Sequence, residues 1–193
     1  MLDGKRILLI ITGGIAAYKS LDLIRRLRER GATVRCILTE AGCQFVTPLS
    51  VAALSESKAY TELFSLTDEA EVGHIRLARE ADLVVVAPAT ANTIAKMAAG
   101  IADDLASTAL LATDRQILLA PAMNVVMWQH SATQRNLSVL IERGVRTVGP
   151  ADGDLACGGG GAGRRSAPGA ILGALRAVLA GQRPLAGRRA VVA

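Results

Sequence analysis

Short runs of apolar residues recur along this chain, each separated from the next by a stretch with helical periodicity. Lys5 to Ile11, Thr33 to Leu38, Leu83 to Ala87 and Gln116 to Ala120 read as strands, with Val145 to Val148 as a final short one. Between them, Ile15 to Arg30 reads as a helix ending at Gly31, Gln44 to Leu54 as a helix with Pro48 early in it, and His74 to Glu80 as a short helix. Asn92 to Ala99 and Asp103 to Ala112 read as helices broken by Gly100, Met123 to Arg143 as one long helix stopping at Gly144, and Ala170 to Ala180 as a last helix. Ser55 to Gly73 is expected to be irregular. Strands that are apolar on both faces and alternate with helices specify an α/β fold with a doubly wound parallel sheet, Rossmann-like and built as a single domain.

Composition narrows the function classes. The chain has 193 residues, of which 51% are hydrophobic, 20% charged and 3% aromatic, so it can bury a core of Leu, Ile, Val and Ala. Too few aromatics are present for nucleic-acid binding by base stacking. The net charge of +5 lies wholly in the tail: residues 1–154 hold 16 basic and 17 acidic side chains, while residues 155–193 hold six Arg and no acid. No apolar run approaches the ~20 residues of a membrane span. Lys5-Arg6 before Ile7 to Ile11 is too short to be a signal peptide, and the expectation is a cytoplasmic protein. Cys36, Cys43 and Cys157 form no C-x-x-C pair, and His74 has no Cys or His neighbour, so no metal site is expected.

In such a sheet, ligands bind beyond the carboxyl ends of the strands, and three strand-to-helix junctions are unusual. Thr12-Gly13-Gly14-Ile15-Ala16-Ala17 allows close backbone approach at a helix start, which favours a phosphate. It lacks the G-x-G-x-x-G spacing and suits a mononucleotide better than NAD, although a tight turn without ligand fits equally and Glu40 lies where a dinucleotide fold places a ribose-binding acid. Pro88-Ala89-Thr90-Ala91-Asn92-Thr93 offers two hydroxyls and an amide, where helix capping and ligand contact can coexist, and Asn124 follows a buried strand, where a lone Asn is usually a cap. Asp152 to Arg165 contains six of the 19 glycines and is expected to hold no regular structure, forming a flap around Cys157.

Together these segments resemble the homo-oligomeric flavin-containing cysteine decarboxylases, and among them the phosphopantothenoylcysteine decarboxylases of coenzyme A biosynthesis. Pro88-Ala-Thr-Ala-Asn-Thr93 is similar to the family's P-A-S-A-N-T motif with Thr90 for Ser, and Pro121-Ala-Met-Asn-Val-Val-Met-Trp128 is an intact P-x-M-N-x-x-M-W motif. Gly13 to Lys19 and Gly73-His74-Ile75 also resemble family segments, and Leu155-Ala156-Cys157-Gly158 with Gly161-Ala162-Gly163-Arg164 resembles the substrate clamp, here residues 152–168. The clamp departs from its relatives after Arg164, where Arg165-Ser166-Ala167-Pro168 replaces Met, a variable residue, Glu and Pro.

The resemblance implies decarboxylation of 4'-phosphopantothenoylcysteine to 4'-phosphopantetheine. Losing a carboxyl from cysteine leaves a carbanion at Cα, and flavin oxidation of the thiol to a thioaldehyde makes that carbanion an enethiolate, which is later reduced again. It further implies FMN held by Gly13, Gly14, Ile15, Thr39, Thr90, Ala91, Asn92, Thr93 and Ala122. His74 would be the base, Asn124 would hold the substrate carboxylate, and Cys157 would donate the final proton. Met127, Arg79, Ala156, Gly158 and Arg164 would contact substrate. Arg79 lies five helical residues from His74, about 140° around the axis. The two therefore should not serve one site from one straight helix, and the resemblance implies a homotrimer with sites at subunit boundaries. Residues 1–181 would be the decarboxylase domain, and residues 182–193 a linker and the start of a synthetase domain. Alternatives are a decarboxylase of peptidyl carboxyl-terminal cysteine, a prenyl-flavin synthase, a flavin-binding regulatory protein without turnover, and a nicotinamide dehydrogenase.

Overall fold

The computed structural model describes residues 2–62, 73–154, 160–164 and 167–181, excepting the side chains of 73–75, 151–154 and 160–164. Six strands form one parallel sheet: β1 (Arg6–Ile11), β2 (Thr33–Leu38), β3 (Ala59–Tyr60), β4 (Leu83–Ala89), β5 (Ile117–Pro121) and β6 (Arg146–Thr147). Their order is β3-β2-β1-β4-β5-β6, so the chain reverses its direction of travel across the sheet between β1 and β4. That order is the doubly wound arrangement expected from the alternation, and the reversal opens a crevice at the carboxyl ends of these two strands.

Alternating side chains give the sheet two apolar faces. Ile7, Leu9 and Ile11 of β1 and Leu83, Val85 and Ala87 of β4 point to one side, while Leu8, Ile10, Val84 and Val86 point to the other. The first face is covered by α1 (Tyr18–Arg28), α3 (Pro48–Ser55) and α9 (Pro168–Gly181), through Leu23, Leu27, Val51, Ile171 and Leu175. The second is covered by α4 (Gly73–Glu80), α5 (Ala91–Ala99), α6 (Leu105–Ala112) and α8 (Ser131–Glu142), through Leu77, Ile94, Ala109 and Leu140. Burial on both faces explains why the strands read as continuous apolar runs.

Several local expectations are corrected. The predicted Gln44–Leu54 helix starts only at Pro48, as α3, because Pro48 can occupy a helix only in its first turn and Thr47 caps it, its Oγ1 accepting from the Ser50 N–H at 3.1 Å; a separate short α2 (Glu40–Cys43) ends before the predicted start. Met123 to Arg143 is two helices, α7 (Val125–Gln129) and α8. The break is His130, extended at ψ 134°, whose Nδ1 accepts from the Ala132 N–H at 3.1 Å and so starts a new helix. The stretch from Ser55, expected to be irregular, contributes the edge strand β3; two residues are too few to show an alternation. Residues 152–165, expected to hold no regular structure, contain an antiparallel pair, β7 (Ala151–Asp154) and β8 (Gly160–Arg164). A ladder is made by backbone groups, and glycines weaken it without forbidding it. Gly31 and Gly100 do terminate helices as expected, both in the left-handed region at φ 83° and 72°.

Candidate functional site, a cleft at the strand ends

The carboxyl ends of β1 and β4 are locked together by buried hydroxyls. Thr12 Oγ1 donates to the Pro88 carbonyl at 2.6 Å, and Ser20 Oγ on α1 donates to the Ala87 carbonyl at 2.6 Å. Pro88 has no N–H, and the β4–β5 register shifts between Val86 and Ala89, so the strand continues through a proline that sequence reasoning placed beyond its end. Above these ends lies a cleft of about 1730 Å³.

Each junction supplies a wall. Gly13, Gly14 and Ile15 line the cleft after β1, Thr39 after β2, and Thr90, Ala91, Asn92 and Thr93 after β4. Ala122, Asn124 and Met127 line it after β5. The cap reading holds here, and the capping residues also line the cleft. Thr39 Oγ1 accepts from the Gly42 N–H at 3.0 Å, Thr90 Oγ1 accepts from the Thr93 N–H at 3.3 Å, and Asn124 Oδ1 accepts from the Val126 N–H at 2.7 Å. Capping orients each side chain, and in Asn124 it commits the carbonyl, leaving the amide N–H groups as donors for the cleft.

Glycine is needed at Gly13, where an added Cβ would sit 2.4 Å from Ala41 Cβ on α2. At Gly14 the nearest atom to such a Cβ would be Thr90 Cγ2 at 4.0 Å, so the space that a side chain would fill is a cradle open to the cleft. Ile15, Tyr18 and Met127 add apolar surface while remaining 59%, 57% and 49% exposed. A backbone cradle with hydroxyl caps beside a broad apolar wall fits a phosphate joined to a flat aromatic ring system, as in a mononucleotide flavin.

Other expected residues are not among the described residues that line this cleft. His74 is on the first turn of α4, its side chain outside the described residues. Arg79, on the last turn of α4, is exposed and is not among the residues lining the cleft of its own chain. Its backbone carbonyl accepts from Arg115 at 3.0 Å. Ala156, Cys157 and Gly158 lie outside the described residues, and Arg164 is described only as the last backbone position of β8, which runs against α7.

Sequence reasoning missed a polar cluster of the cleft. Lys96 on α5 donates to Asp103 Oδ1 at 2.6 Å and Asp104 Oδ2 at 3.0 Å, and all three line the cleft with Ser107. Asp104 forms a reciprocal capping box with Ser107. The signal was present as an acid three residues before a serine at the start of an apolar helix. Hydrogen bonds from Lys96 hold the Asp103 carboxyl below its ordinary range, and hydrogen bonds to Asp103 and then Asp104 raise Lys96. The Cys43 thiol also lines the cleft, pushed up by burial and then by the charge of Glu40.

A comparison with protein families matches the Flavoprotein family over residues 1–179. The chain belongs to the Flavoprotein family. Among curated proteins, this Flavoprotein member is 53% identical over 167 residues to the coenzyme A biosynthesis bifunctional protein CoaBC of Vibrio cholerae, covering 86% of this chain and 42% of that protein. The chain thus spans less than half the length of that relative. Among solved structures, the flavoprotein fold aligns with a cysteine-to-serine mutant of PPC decarboxylase complexed with pantothenoylaminoethenethiol, at TM-score 0.82 and 34% identity, covering 90% of this chain and 97% of the other. It aligns similarly with the FMN binding protein AtHal3, at TM-score 0.81 and 34% identity, covering 93% and 98%.

Proposed function

We propose that this flavoprotein domain decarboxylates 4'-phosphopantothenoylcysteine to 4'-phosphopantetheine, with FMN held in the cleft. The observation that carries the reading is the convergence of Gly14, Thr90 and Asn124 on one cleft at the sheet reversal. Homology supports it, since the relatives include a PPC decarboxylase, an FMN binding protein and a bifunctional coenzyme A biosynthesis protein. The cofactor when bound supplies reversible two-electron oxidation of the substrate thiol, which gives the Cα electrons somewhere to go.

The chain's own residues do the rest. Backbone N–H groups after Gly14, with the Thr90 and Thr93 hydroxyls, hold the phosphate end. Asn124 presents amide donors to the substrate carboxylate until it leaves. His74 takes the proton in the oxidative half. Cys157 returns one to the enethiolate carbon, which a thiol can do because its ordinary pKa of about 8.5 keeps it mostly protonated near neutrality. The name of the solved mutant fits this role, pairing a cysteine-to-serine change with a bound ethenethiol. Met127, Arg79, Ala156, Gly158 and Arg164 complete substrate recognition.

Assembly as a homotrimer, with Arg79 serving a neighbour's cleft, is part of the same reading. Ile15, Tyr18, Leu49 and Val126 support it as large apolar side chains left exposed, several beside the cleft. So are a domain over residues 1–181 followed by the start of a synthetase domain, and a cytoplasmic address, where the free thiols of Cys36 and Cys43 would stay reduced. Among the described residues no helix is long and apolar enough to cross a membrane.

The test is purification followed by a visible spectrum and a turnover assay. A yellow protein that releases FMN on denaturation and forms carbon dioxide and 4'-phosphopantetheine is expected. A colourless protein that takes up NAD and no FMN overturns the reading.

A further inference from the structure

The cleft contains an ion cluster that the proposed chemistry leaves unused. Lys96 follows Asn92 by four residues on α5, so both project from one helix face, a single turn apart. Its Nζ is held at 2.6 Å from Asp103 and 3.0 Å from Asp104, and Asp104 is itself anchored by accepting from the Ser107 N–H at 2.7 Å. The cluster therefore faces the ligand space from a fixed position; only 21% of the Lys96 side chain is exposed.

Charge gives this arrangement a consequence. The described charged side chains of the cleft wall are Lys19, Lys96, Glu40, Glu62, Asp103 and Asp104, so carboxylates outnumber ammonium groups two to one. A ligand carrying a phosphate dianion meets described wall residues that are already net negative. Lys96 masks two of the four carboxylates at once, and its two partners keep it from swinging into solvent. Without it, the Asp103 and Asp104 carboxylates would line the cleft with no opposing charge, and repulsion of an anion there would be only partly screened.

We propose that Lys96, pinned by Asp103 and Asp104, is a positioning residue that makes the cleft tolerant of the flavin's phosphate and so favours FMN over unphosphorylated riboflavin. This rests on the cleft being the FMN site. The experiment strips flavin from the purified protein and titrates it with FMN and with riboflavin, following flavin fluorescence. Lys96→Met is expected to weaken FMN at least tenfold and riboflavin less than threefold, with the FMN penalty shrinking as salt is raised. Lys96→Met combined with Asp103→Asn and Asp104→Asn is expected to regain most of the lost FMN affinity, since asparagine keeps the α6 cap and removes the charge. Equal weakening of both flavins, or no weakening of FMN, overturns the proposal. If Lys96→Met does not fold, the Asp103→Asn/Asp104→Asn protein decides: tighter FMN with unchanged riboflavin supports the proposal, and any other pattern overturns it. Wild-type protein that binds neither flavin overturns the FMN reading itself, a result distinct from loss of discrimination.

Discussion

Thr12 Oγ1 donates a 2.6 Å hydrogen bond to the Pro88 carbonyl, both buried at the point where the sheet reverses direction. The bond joins the ends of two adjacent parallel strands, and the glycine cradle begins at the next residue. Thr12→Val keeps the shape and leaves the Pro88 carbonyl without this donor. A loss of about 1–3 kcal/mol is expected, with weaker flavin retention, measured by urea unfolding and by flavin content after gel filtration. Thr12→Ser should recover most of it.

Asn124 separates capping from binding. Its Oδ1 accepts from the Val126 N–H at 2.7 Å, and aspartate can make the same bond while presenting a charge instead of amide donors. Asn124→Asp should keep the melting temperature close to wild type and lower kcat/KM at least a hundredfold, because a carboxylate repels the substrate carboxylate. Asn124→Ala should lose about 1 kcal/mol of stability as well.

Cys157→Ser tests the last proton transfer. Carbon dioxide should still be released from phosphopantothenoylcysteine, while the unreduced enethiol accumulates and is seen by mass spectrometry. Normal yields of 4'-phosphopantetheine would show that another group is the acid.

Acid stability should depend on the Asp82–Arg6 pair. Partial burial pushes the Asp82 carboxyl up, but hydrogen bonds from the Arg6 side chain and backbone N–H outweigh it, leaving Asp82 below its ordinary value. The unfolded chain then takes up the proton first. The stabilisation is present above about pH 4 and disappears as pH falls through the folded-state value. Arg6 is more than half exposed, so the effect is small. Melting temperatures between about pH 5 and about pH 3 should fall less steeply for Asp82→Asn than for wild type. Only part of the slope should vanish, because Asp22, Asp103 and Asp104 are lowered as well.

Local signals carried much of the molecule. The runs around Leu9, Cys36, Val85 and Leu119 announced a parallel sheet because each is buried on both faces, and Gly31 and Gly100 announced helix ends because each takes a left-handed backbone. The Gly13-Gly14, Thr90-to-Thr93 and Asn124 junctions were legible as site walls, since ligands gather where strands hand over to helices. What misled was composition taken alone. Four consecutive glycines hid the β7–β8 pair, whose bonds are made by backbone, and unbroken helical periodicity hid the His130 break, which depends on one ring nitrogen reaching the Ala132 N–H.

The sequence by itself determined the fold class, the strand order's raw material and the identity of the junction residues, because these follow from periodicity and backbone preference over a few neighbours. Only the tertiary structure decided which junctions share a cleft, that Thr12 meets Pro88 across 76 positions, and that Lys96 finds two carboxylates seven and eight residues away rather than solvent. Those pairings depend on distances in space, set by how helices settle on the sheet, and no pattern along one strand or helix encodes them.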